Sequence, residues 1–139
     1  YTELEEIYSR DYKYLIDFNE QIIKYAFKKF NITTPIYKTS ELIKKGHDIS
    51  GAKTDLILNM CKAAGAKTFI FGQDGKTYIE EDKFKQAGVE YKFQNFKHPV
   101  YQQRYPGFES NMSFIDLLFN YGDESIKIIE NENKLNTTR

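Results

Sequence analysis

The 139-residue chain has no tryptophan, a single cysteine, two histidines and three prolines, and its charges cancel. Each shortage excludes something. One cysteine, Cys61, cannot close an internal disulfide or make a closed zinc site, and with His47 and His98 far apart no metal site is suggested. Cys61 ends the largely apolar run Leu56-Ile57-Leu58-Asn59-Met60-Cys61, which reads as a small buried thiol in a reducing compartment. Twenty basic residues face twenty acidic ones. A protein that neutralises nucleic-acid phosphates carries a clustered basic surplus, so no nucleic-acid partner is expected. The longest apolar runs, such as Leu56-Ile57-Leu58 and Leu117-Leu118-Phe119, fall far short of the roughly 20 residues that cross a bilayer. No membrane span is expected, and without a basic-then-apolar leader the expected location is cytoplasmic. No cofactor motif is apparent.

What the chain has in plenty is aromatic rings: 11 Tyr and 11 Phe. Tyrosine combines an apolar body with a polar tip, so these rings belong at a core boundary or along a cleft. The length fits one hydrophobic core, and the expectation is a single domain over residues 1–139. The expected fold class is mixed α/β: helix-rich, with a few short strands packed in layers.

Periodicity supports that reading. Thr2-x-x-Glu5 has the form of a capping box for a first helix. From Asp11 to Phe30, Tyr12, Leu15, Ile16, Phe18, Ile22, Ile23, Ala26, Phe27 and Phe30 recur at helical spacing, giving an amphipathic helix of about five turns. Asn31 and Thr33-Thr34-Pro35 end it. A single helical turn follows at Glu41–Lys44. Ser50 opens a second helix with Leu56, Ile57, Met60, Ala63 and Ala64 inward and Gly65 as its left-handed stop. Thr68-Phe69-Ile70-Phe71 is β-prone and ends at Gly72, which makes an α/β unit. A short helix at residues 80–86 closes at Gly88, and residues 89–93 alternate like a half-solvated strand. Residues 94–111 show no period. Ser113 then caps a helix with Asp116 in its first turn, ending at Gly122. Residues 123–130 add another helix, and residues 131–139 are expected to fray.

Two stretches imitate a phosphate-binding loop. In Gly46-His47-Asp48-Ile49-Ser50-Gly51-Ala52-Lys53-Thr54 the lysine comes one residue late and no strand precedes it. Gly72-Gln73-Asp74-Gly75-Lys76-Thr77 does follow a strand, but Ile70 stands where its first glycine is needed. Gln73-Asp74-Gly75 reads better as a tight turn. No Gly-x-Ser-x-Gly nucleophile elbow occurs.

The chemically richest block is His98-Pro99-Val100-Tyr101-Gln102-Gln103-Arg104, which follows a strand, where α/β sheets hold their ligands. An imidazole exchanges protons near neutral pH. Tyr101 and Gln103 can hydrogen-bond a polyhydroxyl ligand, and Arg104 can fork onto a phosphate or carboxylate. Chemistry alone leaves the alternative open, and favours it: a well-hydrogen-bonded structural loop with His98 tied to backbone. Asp116 is most simply a charge complementing its helix dipole.

Phe71-Gly72-x-x-Gly75-x-x-Tyr78, Phe93-Gln94-x-Phe96-x-His98-Pro99-Val100-Tyr101-x-Gln103, Phe108 and Ser113-Phe114-Ile115-Asp116-Leu117-Leu118-Phe119-Asn120-x-Gly122 together resemble the WbqC-like family. The resemblance runs from about Leu15 to Gly122, and the chain looks like the C-terminal portion of a member whose N-terminal segment is absent. Such members are bacterial, and many are encoded among enzymes that make O-antigen and other surface glycans. The resemblance implies roles for Gly72, Gly75, Tyr78, His98, Pro99, Tyr101, Gln103, Ser113, Asp116 and Gly122. Phe71 stands where the family commonly has Ser. The implied function is an enzyme of surface-polysaccharide biosynthesis, with acyl or aminoacyl transfer to a nucleotide-linked amino sugar as compatible chemistry. His98 is then the proton-transfer group and Tyr101, Gln103, Arg104, Gly72, Gly75 and Tyr78 the substrate-binding set. Ser113, Asp116 and Gly122 form a structural motif. The alternative is a non-catalytic module that docks on glycan enzymes through exposed rings such as Tyr105 and Phe108.

Overall fold

The computed structural model describes residues 1–133, and within them the chain is mixed α/β. It divides into two compact units. The first joins Tyr1–Thr34 to the stretch from Lys97 onward; the second is Pro35–Phe96.

The first unit contains α1 (Thr2–Tyr8), α2 (Leu15–Lys29), α6 (Phe114–Tyr121) and α7 (Ser125–Asn133), the last two joined by a 3-10 turn over Gly122–Glu124. Ile7, Tyr25, Phe30 and Leu118 form its core, and Leu4, Phe18, Ile22, Ala26, Phe114, Ile126 and Ile129 pack around them. The helical spacing of α2 brings Tyr25 and Ile22 onto one face, and Phe30 meets Phe114 edge-to-face at 5.9 Å. The start of α2 differs from the sequence reading. The helix begins at Leu15 rather than Asp11, because Tyr14 is extended and the Tyr12 ring turns back to meet Phe18 at 5.4 Å. Leu15 and Ile16 are consequently 73% and 64% exposed. The capping box is not formed either. Thr2 lies inside α1, Tyr1 takes the cap position, and no side chain bonds there. Glu3 binds Lys28 and Lys29 of α2 at 3.1 and 2.9 Å instead, which holds its carboxyl below the usual range.

The second unit contains α3 (Thr39–Lys44), α4 (Lys53–Ala64), β1 (Thr68–Phe71), α5 (Glu81–Ala87) and β2 (Glu90–Phe93), with a 3-10 turn over Gln73–Thr77. The strands pair in parallel, Thr68 opposite Glu90 through Phe71 opposite Phe93. Parallel pairing demands a long crossover, and the segment with α5 supplies it. The period of two then sorts the side chains. Phe69, Phe71 and Tyr91 close on Phe84 of α5 with ring centroids 5.5–6.4 Å apart, while Ile70 is 64% exposed. Phe84 is fully buried, a contribution of about 1.5–3 kcal/mol.

One device sets both strands in place. Gly65 and Gly88 end α4 and α5 in the left-handed conformation, φ 65° and 67°. The next amide, Ala66 N or Val89 N, returns to the helix at Cys61 O or Phe84 O. Strand follows within a few residues in each case. Helix α4 starts three residues later than its sequence suggests: Ser50 N donates to Asp48 Oδ1 at 2.9 Å, a local turn that competes with helix. Residues 131–133, expected to fray, continue α7. Asn133 Oδ1 accepts from Lys97 N at 2.8 Å and its Nδ2 donates to Lys97 O at 2.9 Å. The rest of that expectation, residues 134–139, lies outside the described residues. Among the described residues no helix is long and apolar enough to cross a membrane.

Candidate functional site

The aperiodic stretch after Lys97 cannot satisfy its backbone and polar side chains by regular pairing, so it borrows partners from α6. Ser113 Oγ accepts from Ile115 N and starts that helix as its sequence implies. One turn on, Asp116 is the centre of the arrangement. Tyr101 Oη donates to Asp116 Oδ2 at 2.8 Å, and Gln103 Nε2 donates to the same oxygen at 3.0 Å. Asn120 Nδ2 lies 3.4 Å from Oδ1 and donates to Asp116 O at 2.8 Å. Gln103 also clasps Glu109, donating to its carbonyl at 3.0 Å and accepting from its amide at 2.8 Å. The carboxylate does more than complement the helix dipole: it gathers two side chains from the loop.

Rings seal this network. Tyr101 is buried and meets Phe108 and Tyr121 edge-to-face at 5.6 and 6.0 Å. Tyr121 Oη accepts from Gln102 N, a second tie between loop and helix. Burial, and then the bond to Asp116, pushes the Tyr101 phenol above its ordinary value. The ring of His98 lies stacked 6.4 Å from Tyr101 and 6.2 Å from Phe108. Its Nδ1 is 2.9 Å from Pro99 O. A carbonyl only accepts, so Nδ1 carries the hydrogen, and in the neutral ring Nε2 holds the lone pair.

The residues singled out in the sequence therefore separate into groups. Tyr101, Gln103 and Asp116 converge on one another, and His98 joins them through its ring. Pro99 is buried and supplies the carbonyl that orients His98. Arg104 is exposed, and its guanidinium forms no hydrogen bond or ion pair with the described residues. Gly122 follows the last turn of α6. Of the two rings considered for docking, Tyr105 is 76% exposed whereas Phe108 packs inside the cluster. Asn120, although part of the quoted motif, and Tyr121 were given no role from the sequence; helical spacing from Asp116 was the signal for Asn120.

Gly72, Gly75 and Tyr78 belong to the second unit. Gly75 is buried against Phe71, and Tyr78 packs its half-exposed ring on Phe71 at 6.1 Å. Beside them, at the carboxyl ends of β1 and β2, opens a cleft of about 470 Å³ lined by Gln73, Asp74, Lys76, Phe93, Gln94 and Asn95. None of these six is among the site residues expected from the sequence; their place at and after the ends of the two strands was the available signal. Among the described residues no group of three or more His, Cys, Asp or Glu side chains could hold a metal ion.

The family model that matches the chain is described as the WbqC-like protein family and covers residues 1–128. Among curated proteins, the chain is 29% identical over 80 residues to Uncharacterized protein Rv1507c of Mycobacterium tuberculosis. The matched part is 57% of this chain and 35% of that protein, so the chain spans about a third of its relative's length. No solved structure matches the chain.

Proposed function

The chain belongs to the WbqC-like protein family, and from that membership we propose that it serves bacterial surface-polysaccharide biosynthesis by transferring an acyl or aminoacyl group to a nucleotide-linked amino sugar. The sugar's amino nitrogen attacks the carbonyl carbon of an activated acyl donor. The new N–C bond forms as the bond to the donor's leaving group breaks. His98 Nε2 takes the proton that the nitrogen loses and returns it to the leaving group. The bond from His98 Nδ1 to Pro99 O is the backbone tie that a purely structural loop would also make; what supports the catalytic reading is that it orients the ring and leaves Nε2 as the nitrogen with the lone pair.

Tyr101 and Gln103 act as positioning residues in this scheme, since both bond to Asp116 and hold the loop that carries His98. Arg104, exposed and uncommitted, faces the diphosphate of the donor or acceptor.

The reading is tested by thermal shift of the chain with UDP-, dTDP- and GDP-linked amino sugars, followed by turnover of any that binds. A ligand at about a hundredfold over its Kd raises stability by about 2.7 kcal/mol. His98→Gln should keep the fold and the binding shift yet lose turnover. Full turnover in His98→Gln removes His98 from the chemistry, whereas no thermal shift and no turnover with any of these sugars favours the second reading, a docking module. The observation behind that second reading is Tyr105, an aromatic ring 76% exposed in the same loop.

A further inference from the structure

The cleft at the carboxyl ends of β1 and β2 is lined wholly by residues of the second unit and has its own chemistry. Its volume, about 470 Å³, falls within the range of small-molecule clefts. Parallel strands direct their ligands to this end, where the connecting segments diverge. The turn after β1 is the stretch that imitates a phosphate loop, so phosphate is the first ligand to consider. The backbone opposes it. Gly75 N donates to Gly72 O at 3.0 Å, and Tyr78 N and Ile79 N both donate to Gly75 O. These amides close a 3-10 turn and do not surround an anion. Lys76 Nζ lies 5.4 Å over the Phe93 ring, and the carboxylate of Asp74 lines the same cleft. An anion would meet Asp74, and a cation would meet Lys76.

Three primary amides remain: Gln73, Gln94 and Asn95. Gln73 Nε2 donates to Asn95 Oδ1 at 3.2 Å, which ties the two strand ends together and leaves the Gln73 carbonyl and the Asn95 NH2 to a ligand. A primary amide is both donor and acceptor, and so is a hydroxyl. We propose that this cleft binds a neutral polyhydroxyl group, the pyranose ring of a sugar. Hydroxyls bond to the three amides, while Asp74 accepts and Lys76 donates further bonds to the same ring. In its choice of a sugar as ligand the assignment rests on the function proposed above.

The test is a 1H–15N NMR titration of the chain with N-acetylglucosamine, UDP and sodium phosphate, following the side-chain NH2 signals of Gln73, Gln94 and Asn95. N-acetylglucosamine should move all three and saturate at millimolar concentration. Gln73→Ala and Asn95→Ala should each weaken that binding by about tenfold. Both side chains are exposed, so the backbone spectrum should stay folded. Silence toward the sugar overturns the assignment, whether or not UDP or phosphate moves the same signals. Sugar binding together with full turnover by His98→Gln ends the proton-transfer role and keeps the cleft. Lost turnover in that variant, with no sugar response here, does the opposite.

Discussion

Tyr101 hands its phenolic hydrogen to Asp116 at 2.8 Å, joining an aperiodic loop to the first turn of α6 across fifteen residues of chain. Deleting the hydroxyl leaves Asp116 with Gln103 and Asn120 but removes a buried, charge-assisted bond. Tyr101→Phe should cost about 1–2 kcal/mol in urea unfolding. Alkali provides a second readout. The folded phenol is raised, so its stabilisation is full below the ordinary tyrosine value and fades as pH rises through the folded one. Stability should fall more gently above about pH 10 in Tyr101→Phe than in the parent.

Gly75 and Phe71 are in tight contact. A Cβ built on Gly75 would fall 2.6 Å from Phe71 Cβ and Cδ1, and Phe71 is only 2% exposed. The Phe71 ring is held by Phe84, Phe69 and Phe93 and has no room to withdraw. Gly75→Ala should therefore destabilise the chain by about 1–3 kcal/mol or prevent its folding, measured by urea midpoint. An alanine variant of parental stability would contradict this packing.

Thr54 is 1% exposed and its Oγ1 has no hydrogen-bond partner among the described residues. A buried hydroxyl without a partner is a cost, and valine has nearly the same shape. Thr54→Val should be neutral or raise stability by up to about 1 kcal/mol. A loss larger than that would reveal a partner for the hydroxyl.

The Glu3 carboxyl is held down first by Lys29 and then by Lys28, so its stabilisation is present above the ordinary glutamate value and lost as pH falls through the lower folded one. Glu3→Gln should flatten the acid limb of a stability-versus-pH curve and leave neutral stability little changed, because the pair is exposed. An acid limb identical to the parent's would show that α1 is not tied to α2 in this way.

Arg104→Ala should leave the unfolding midpoint within about 0.5 kcal/mol of the parent, since the side chain is exposed and uncommitted. The thermal shift produced by a nucleotide sugar should shrink. Equal shifts in parent and variant would take Arg104 out of the ligand site.

The legible parts of this molecule are the local ones. Gly65 after an apolar helix face and before Thr68-Phe69-Ile70-Phe71 announced the helix, its stop and the strand, and Gly88 repeats the device before β2. Ser113 announced α6. Less legible were starts of helices, where the choice lay between near-equal local bonds: Asp48 captured the Ser50 amide, and Tyr12 packed on Phe18 rather than extending α2. The roles of Tyr101, Gln103 and Asp116 were divided among substrate binding and dipole compensation when read one by one. Only their geometry reveals that they are partners.

Residue order alone determined the α/β class, the family and the positions of most helices and strands, because periodicity, caps and glycine stops act over one or two turns of chain. Spacing also counted against both phosphate-loop lookalikes, since one lysine comes a residue late and Ile70 replaces a glycine. Tertiary structure decided which polar groups are occupied and which are open. Asp116 meets Tyr101 and Gln103, and Gln73 meets Asn95, over separations of thirteen to twenty-two residues. No local pattern encodes such pairs. They arise when buried or crowded polar groups find partners as the chain closes, and the groups left over define where a ligand can bind.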